Sequence, residues 1–376
     1  MKKILKILFV IIISITGLLV LLYFLFVNFY PSFGGNVSKE KQVVYQKSKQ
    51  YEENKFKNSK PVPKEASFKE SLKDAYAVLT TEVSNGRPKN DLKVNKIDVS
   101  SLNDNKYGTR LIWFGHSSFL LQIEEKTILL DPMFSKVAAP HPLLGTVRFN
   151  KELPLDIEKI KKIDAVLFSH DHYDHLDYET ILKIKEKVSH FFVPLGVGVH
   201  LESWGVSSTK ITELDWWEER QFQGISFVCT PAQHFSGRKL DNSQSTLWSS
   251  WVIQSKNENI YFSGDSGYAS HFKEIGEKYG PFDIALLECG QYNKMWSDIH
   301  MTPEETVQAG IDVKAEKIMP IHWAGFQLAL HSWTDPIERF QKKARTLNLK
   351  TITPKIGEII IVKDTINNSN DWWKKP

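Results

Sequence analysis

Three histidines and three carboxylates fall within nine residues at Ser169-His170-Asp171-His172-Tyr173-Asp174-His175-Leu176-Asp177, directly after the apolar run Ala165-Val166-Leu167-Phe168. A lone histidine at a strand end is more often structural than a ligand, and an acidic loop is commonplace. Three histidines in six positions are hard to assign to packing. The spacing H-x-H-x-D-H lets a tight loop aim alternate side chains at one point and turn its last pair towards a second, so it can serve two metals. A loop alone cannot close two coordination shells, so the fold must deliver further donors from later strand ends. Candidates stand where such donors belong. His234 follows the run 225–229 through Thr230-Pro231-Ala232-Gln233, Asp265 follows 260–262 within Ser263-Gly264-Asp265-Ser266-Gly267, and His322 follows 317–321. Singly, His234 and His322 read as hydrogen-bonded histidines and Asp265 as a turn aspartate beside glycine. Together with His170, His172, Asp174 and His175 they make seven donors for two sites. The two cysteines, Cys229 and Cys289, each sit in an apolar run that reads as a buried strand. Imidazole and carboxylate must therefore hold any ion, which suits zinc or another divalent first-row metal.

Around these residues the chain reads as a layered α/β (α+β) fold. Short β-branched and aromatic runs at 111–114, 119–123, 127–130, 165–168, 191–193, 225–229, 249–254, 260–262, 284–287, 317–321 and 358–362 predict strands. Helices are predicted over 178–187, 269–279, 303–313 and 336–346, with Thr302 and Asp335 as N-caps before a proline. Strands come first in runs and helices are interspersed later. That order predicts sheet layers covered by helices, not a regularly alternating doubly wound sheet. Trp216, Trp217, Trp248 and Trp251 occupy strand-like positions and read as core. Trp372-Trp373 before Lys374-Lys375 reads equally as core or as an interfacial anchor. Pro194-Leu195-Gly196-Val197-Gly198 lacks the Lys-Ser/Thr of a phosphate loop and reads as a strand-to-helix turn.

At the other end, Lys2, Lys3 and Lys6 precede residues 7–27, which carry no charge. As a helix this run reaches about 31 Å, the thickness of a bilayer core. It is longer than a signal-peptide apolar region and no small-x-small cleavage site follows it, so an uncleaved single-pass anchor is expected. Lysines before the span and a charge-free stretch from Asn28 to Ser38 after it place the N-terminus in the cytoplasm and the body outside, although lysines return from Lys39. The expected organisation is an anchor over 1–27, a polar lead-in over 28–105 with a helical stretch at 64–79, a catalytic domain over 106–363 and a tail over 364–376. Parts of the lead-in could wrap the domain. The net charge of +4 is matched by residues 39–74, with ten lysines against six acidic residues, so the rest is balanced and no nucleic-acid surface is indicated.

Longer phrases narrow the reading. Gly115-His116, Leu130-Asp131-Pro132-Met133-Phe134-Ser135, the metal loop through Tyr178, Val193-Pro194-Leu195-Gly196, Glu213-Leu214-Asp215-Trp216-Trp217-Glu218-Glu219, Thr230 to His234, Phe262 to Tyr268 and Ile321-His322-Trp323 span roughly residues 106–345. With them the chain resembles the metallo-β-lactamase superfamily, and within it the N-acylphosphatidylethanolamine-hydrolysing phospholipase D family. The resemblance implies an αβ/βα sandwich, here preceded by one transmembrane helix. It implies one zinc on His170, His172 and His234, a second on Asp174, His175 and His322, and Asp265 bridging.

Asp131 resembles the family's supporting carboxylate that orients a ligand histidine, while a simple turn former explains it as well. Tyr173, His300 and His331 are substrate-contact candidates set against ordinary packing; His300 aligns with a histidine near the family's site. Lys136 and Ile299 depart from the small polar and polar residues of the family, which bears on head-group or acyl-chain preference. The implied chemistry is attack on phosphorus by hydroxide shared between two metals, releasing phosphatidic acid and an N-acylethanolamine. A lactonase or other ester hydrolase of the same fold is the alternative enzyme. A silent tethered binding protein is expected to have lost ligands that this chain keeps.

Overall fold

The computed structural model describes residues 2–61, 76, 80–103, 108–364 and 371–375. The apolar N-terminal run forms a single helix, α1 (Lys2–Phe29), extending a few residues beyond the expected span at both ends. Its 28 residues cover about 42 Å, long and apolar enough to cross a membrane. Val27, in the last turn, is buried and Phe26 beside it is half-buried, while the apolar side chains from Ile4 to Leu25 are exposed.

The segment expected as a polar lead-in is largely bound to the body. After α1 come a short helix, α2 (Lys39–Tyr45), capped by the Ser38 side chain, and a two-stranded hairpin of β1 (Tyr51–Glu52) and β2 (Lys55–Phe56). Tyr45 and Phe56 enter the main core, Leu92 joins it, and the amides of Leu92, Asn95 and Ile97 donate to Phe149, Ile356 and Pro154 carbonyls. Lysine-rich composition hid this, because a few large apolar residues suffice to fix a strap whose other side chains stay in water. The helical stretch expected at 64–79 lies outside the described residues except for Tyr76.

Two sheets face each other across that core. The first has the order β15-β3-β4-β5-β6-β7-β8: β3 (Arg110–Trp113), β4 (Phe119–Ile123), β5 (Lys126–Leu130), β6 (Ile163–Leu167), β7 (Val188–Pro194), β8 (Ile211–Leu214) and β15 (Ile359–Ile361). The second runs β14-β13-β12-β11-β10-β9: β9 (Glu219–Phe222), β10 (Ile225–Thr230), β11 (Ser250–Gln254), β12 (Asn259–Phe262), β13 (Ile284–Glu288) and β14 (Ile318–Ile321). Alternation assigns the faces. On β3, Leu111 and Trp113 point between the sheets, and Ile112 points to a second cluster with Phe114; on β6, Ala165 and Leu167 point inward and Val166 outward. Burial on both faces is why these strands read as unbroken apolar runs.

The outward cluster is closed by α3 (Tyr178–Ile184) and α4 (Gly198–Ser203) through Ile181, Ile184 and Leu201. The second sheet is covered by α5 (His271–Lys278), α6 (Pro303–Asp312) and α7 (Asp335–Thr346). This is the expected αβ/βα sandwich. Thr302 caps α6 in a capping box, as its position suggested. Asp335 is instead the first residue of α7; its carboxylate meets the Tyr292 hydroxyl. Strands β8 and β9 went unpredicted because they are half-buried or exposed edge strands with polar residues, which carry no apolar run. The tail ends the ambiguity over Trp372 and Trp373: both are buried, with ring centroids 5.5 and 5.8 Å from Trp323.

Strand direction positions the site. β5 and β6 are parallel, β12, β13 and β14 are parallel, and β10 runs with β12 because each is antiparallel to β11. Their C-terminal ends therefore open on the loops that carry Asp131, His170 to His175, His234, Asp265 and His322.

Candidate metal centre

The metal loop leaves β6 through Phe168 and Ser169 and turns twice before α3. His170 Nε2 lies 3.0 Å from His172 Nδ1, and His234 Nε2 lies 3.2 Å from the same atom. An ion about 2.05 Å from each of two nitrogens at a tetrahedral angle needs them about 3.3 Å apart, so the spacing of this triad fits zinc. On the other side Asp174, His175 and His322 gather, with His116 as a fourth member. The Asp265 carboxylate lies between the groups, with oxygens 3.9 Å from His170 Nε2 and His234 Nε2, 3.1 Å from His175 Nε2 and 3.0 Å from His322 Nδ1. All seven residues nominated from the sequence are thus brought together. Buried donors left without hydrogen-bond partners, His175 Nε2 and Asp265 Oδ1, face this space. The donor set suits a divalent cation, which would satisfy atoms that the protein leaves unpaired.

The outer ring nitrogens are held, which sets the inner ones. His175 Nδ1 donates to Asp131 Oδ2 at 2.7 Å, and Asp131 Oδ1 accepts the Ser169 amide at 2.7 Å. Ser169 Oγ donates to Asp131 Oδ2 at 2.5 Å and lies 2.8 Å from His170 Nδ1. Asp131 thus bonds directly to the ring of His175 as well as to the loop that carries His170. His234 Nδ1 donates to the Ile299 carbonyl at 3.0 Å, a backbone contact that tolerates the nonpolar side chain there. Gly264 makes this closeness possible: at φ +55°, a Cβ would stand 2.5 Å from Ser169 Cβ.

Electrostatics favour neutral imidazoles, the form that binds metal. Burial, with help from neighbouring rings, holds His170, His234 and His322 well below the usual histidine range, and burial pushes His172 down to about 4. His175 differs: burial opposes its charge, but Asp265, Asp174 and Asp131 together hold it well above that range. Burial raises Asp265 to about 6 against the pull of His175.

Other sequence candidates divide. A ring nitrogen of His300 comes within 4.8 Å of donor atoms of His234 and Asp265, and its ring stacks on His322 with centroids 5.4 Å apart. His300 Nδ1 is 3.2 Å from Glu288, a fully buried carboxyl that burial pushes well up and that also accepts the Met301 amide. Tyr173 is engaged elsewhere: its hydroxyl donates to the Arg238 carbonyl, and the Arg238 guanidinium lies 4.0 Å above its ring. These contacts tie the metal loop to the Arg238 segment. His331 stacks on Tyr292 with centroids 4.5 Å apart and bonds to Ser332, joining none of the donor groups.

Four supporting residues were missed in the sequence. His116 Nε2 is 2.8 Å from Asp174 Oδ2, Ser117 Oγ is 3.2 Å from His322 Nδ1, and Glu288 holds His300. The most distant miss is Asn58. Its carboxamide donates to the His234 carbonyl at 2.7 Å and accepts the His234 amide at 3.1 Å. Only the Gly115-His116 pair carried a signal, as a phrase beside a predicted strand.

Comparison with known proteins agrees with this geometry. Residues 126–323 match the family model described as the Beta-lactamase superfamily domain. An uncharacterized protein of Mycobacterium tuberculosis is 41% identical over 266 residues, covering 70% of this chain and 71% of that protein. The N-acyl-phosphatidylethanolamine-hydrolyzing phospholipase D 1 of Caenorhabditis elegans is 34% identical over 228 residues, 57% of this chain and 64% of the worm protein. Among solved structures, a metallo hydrolase from Ignicoccus hospitalis superposes with a TM-score of 0.51 at 23% identity, covering 67% of this chain and 97% of that one. A divalent-metal donor set at the C-terminal ends of a two-sheet sandwich, with a family match across more than half of the chain, places the protein in the metallo-β-lactamase superfamily as a metal-dependent hydrolase related to the N-acyl-phosphatidylethanolamine-hydrolysing phospholipases D.

Proposed function

We propose that this chain is a membrane-anchored, two-zinc phosphodiesterase that hydrolyses N-acyl phosphatidylethanolamine-type phospholipids on their head-group side. The observation that carries the reading is the position of Asp265 between two donor groups, each with three further ligands. His170, His172 and His234 would hold one ion, and Asp174, His175 and His322 the other. Bound there, two divalent ions supply positive charge beside a phosphoryl oxygen and lower the pKa of water to near neutrality. The protein contributes orientation. Asp131 and the Ile299 carbonyl fix the inner nitrogens of His175 and His234, and Asn58 fixes the backbone that carries His234. His300, held by Glu288 beside His234 and Asp265, would donate to a substrate phosphate.

The phospholipid substrate is supported by the similarity to the worm phospholipase D and by α1, which would tether the body beside its substrate, with the catalytic body outside the cytoplasm. The test is direct. Detergent-solubilised protein is incubated with N-acyl phosphatidylethanolamine, a simple lactone and a chromogenic phosphodiester, with and without chelator. Chelator-sensitive release of phosphatidic acid is expected. Lactone turnover without phosphodiester turnover would overturn the proposal.

A further inference from the structure

Among the described residues, the apolar helix α1 meets the body at its last turn, and that joint is built from specific contacts. Phe26 packs on Phe33 with centroids 5.1 Å apart, and both Phe26 and Tyr30 pack on His141, at 6.2 and 5.4 Å. Just beyond, the Ser32 carbonyl accepts from Arg238 Nη2 at 2.7 Å and Nε at 3.1 Å, the Pro31 carbonyl accepts from Trp204 Nε1 at 2.8 Å, and Ser32 Oγ donates to the Pro140 carbonyl at 2.5 Å. Gly34 sits at φ +76° so close that a Cβ would overlap the His200 ring. The helix therefore leaves the body in a fixed direction. The body's position relative to a bilayer follows from it.

Phe26 to Tyr30 spans about 6 Å of helix axis, comparable with the roughly 5–7 Å interfacial layer on each side of a bilayer core. With the apolar span ending near Val27, His141 lies in that layer. Beside it the uncharged stretch Ala138-Ala139-Pro140-His141-Pro142-Leu143-Leu144-Gly145 projects Leu143 and Leu144, which are 86% and 61% exposed. On the same side Lys239 Nζ donates to Asn36 Oδ1, and the next residue, Leu240, is 87% exposed. Exposed leucines beside lysines, Lys136 before the first loop and Lys239 in the second, form the pattern of a surface lying in a lipid interface. The joint also reaches the metal loop, because Arg238 Nη1 donates to the Asp171 and Leu176 carbonyls and Phe33 packs on Tyr173.

We propose that the 138–145 loop and Leu240 form a second membrane contact, dipping into the bilayer beside α1 and holding the metal loop at a fixed height above the lipid surface. This rests on α1 being an anchor and on the lipid reading of the site. The test uses the full chain in phosphatidylcholine–phosphatidylglycerol vesicles, carrying Leu143→Cys or Leu240→Cys labelled with an environment-sensitive fluorophore. Cys229 and Cys289 are fully buried and do not compete for label, and Leu347→Cys on the C-terminal end of α7 serves as the off-face control.

Labels at 143 and 240 are expected to emit blue-shifted, to be quenched by spin-labelled acyl chains and to resist aqueous iodide, while the label at 347 is iodide-accessible. Equal iodide access at 143 and 347 overturns the proposal, as does shielding at 143 that persists without lipid in a dimer. The double variant Leu143→Asp/Leu144→Asp is expected to lose on the order of tenfold in turnover of bilayer-embedded phospholipid while keeping turnover of a water-soluble phosphodiester. Equal losses on both substrates count against the contact. Flotation of the unlabelled chain reports the anchor separately, and absence of phospholipid turnover in the parent chain would remove the substrate reading while the label still decides the loop.

Discussion

Replacing Asp131 by asparagine tests the site more sharply than removing a ligand, because it keeps the shape and changes only the hydrogen-bond pattern. The fully buried carboxylate accepts from three groups: the Ser169 amide at 2.7 Å, Ser169 Oγ at 2.5 Å and His175 Nδ1 at 2.7 Å. A carboxamide has one oxygen. If its NH2 faces His175, the ring must move its proton from Nδ1 to Nε2, the nitrogen 3.1 Å from Asp265 that a metal requires free. If the NH2 faces the Ser169 amide instead, two buried donors confront each other, at about 1–3 kcal/mol for the unpaired group. Either outcome predicts a roughly 10–100-fold weaker second ion, about 1.4–2.7 kcal/mol, with the triad of His170, His172 and His234 less affected. Elemental analysis and competition against a chromogenic chelator read the two affinities directly, and circular dichroism confirms folding. A folded Asp131→Asn protein that keeps both ions at parental affinity would refute the reasoning.

Asp265→Asn is expected to lose most activity and one metal equivalent, because its carboxylate stands between both groups; full activity with two ions bound sinks the bridging assignment. Asn58→Ala, far from the metal loop in sequence, removes two hydrogen bonds to the His234 backbone and is expected to cost about 1–3 kcal/mol in denaturant unfolding and to weaken the His234 site. A neutral result would mean that this strap is dispensable. Trp373→Ala, at 3% exposure, is expected to cost about 3–5 kcal/mol in stability. A cost under about 0.5 kcal/mol would instead fit a surface tail.

Much of the fold was legible because its strands are buried on both faces. β4, β6, β10 and β13 appear as apolar runs with few polar interruptions, and a run of that kind needs no partner to be recognised. β8 and β9 were not legible, since edge strands with polar side chains gain their identity only from the neighbour they bond to. The strap around Tyr45 and Phe56 was hidden for a related reason: its lysines dominate composition, while its attachment depends on two aromatic side chains finding a pocket.

The sequence by itself determined the donor inventory: which side chains can bind a metal, that they follow apolar strands, and that thiolate is not among them. Coordination chemistry depends on residue type and local spacing, both of which are written in the chain. Tertiary structure decided what those donors face. It aligned strand ends so that Asp265 falls between two triads, turned Tyr173 onto Arg238, stacked His331 on Tyr292 apart from the donor groups, and brought Asn58 to the backbone of His234. Those outcomes depend on strand direction and on contacts between residues far apart in the chain, 65 positions for Tyr173 and Arg238 and 176 for Asn58 and His234, which no local pattern encodes.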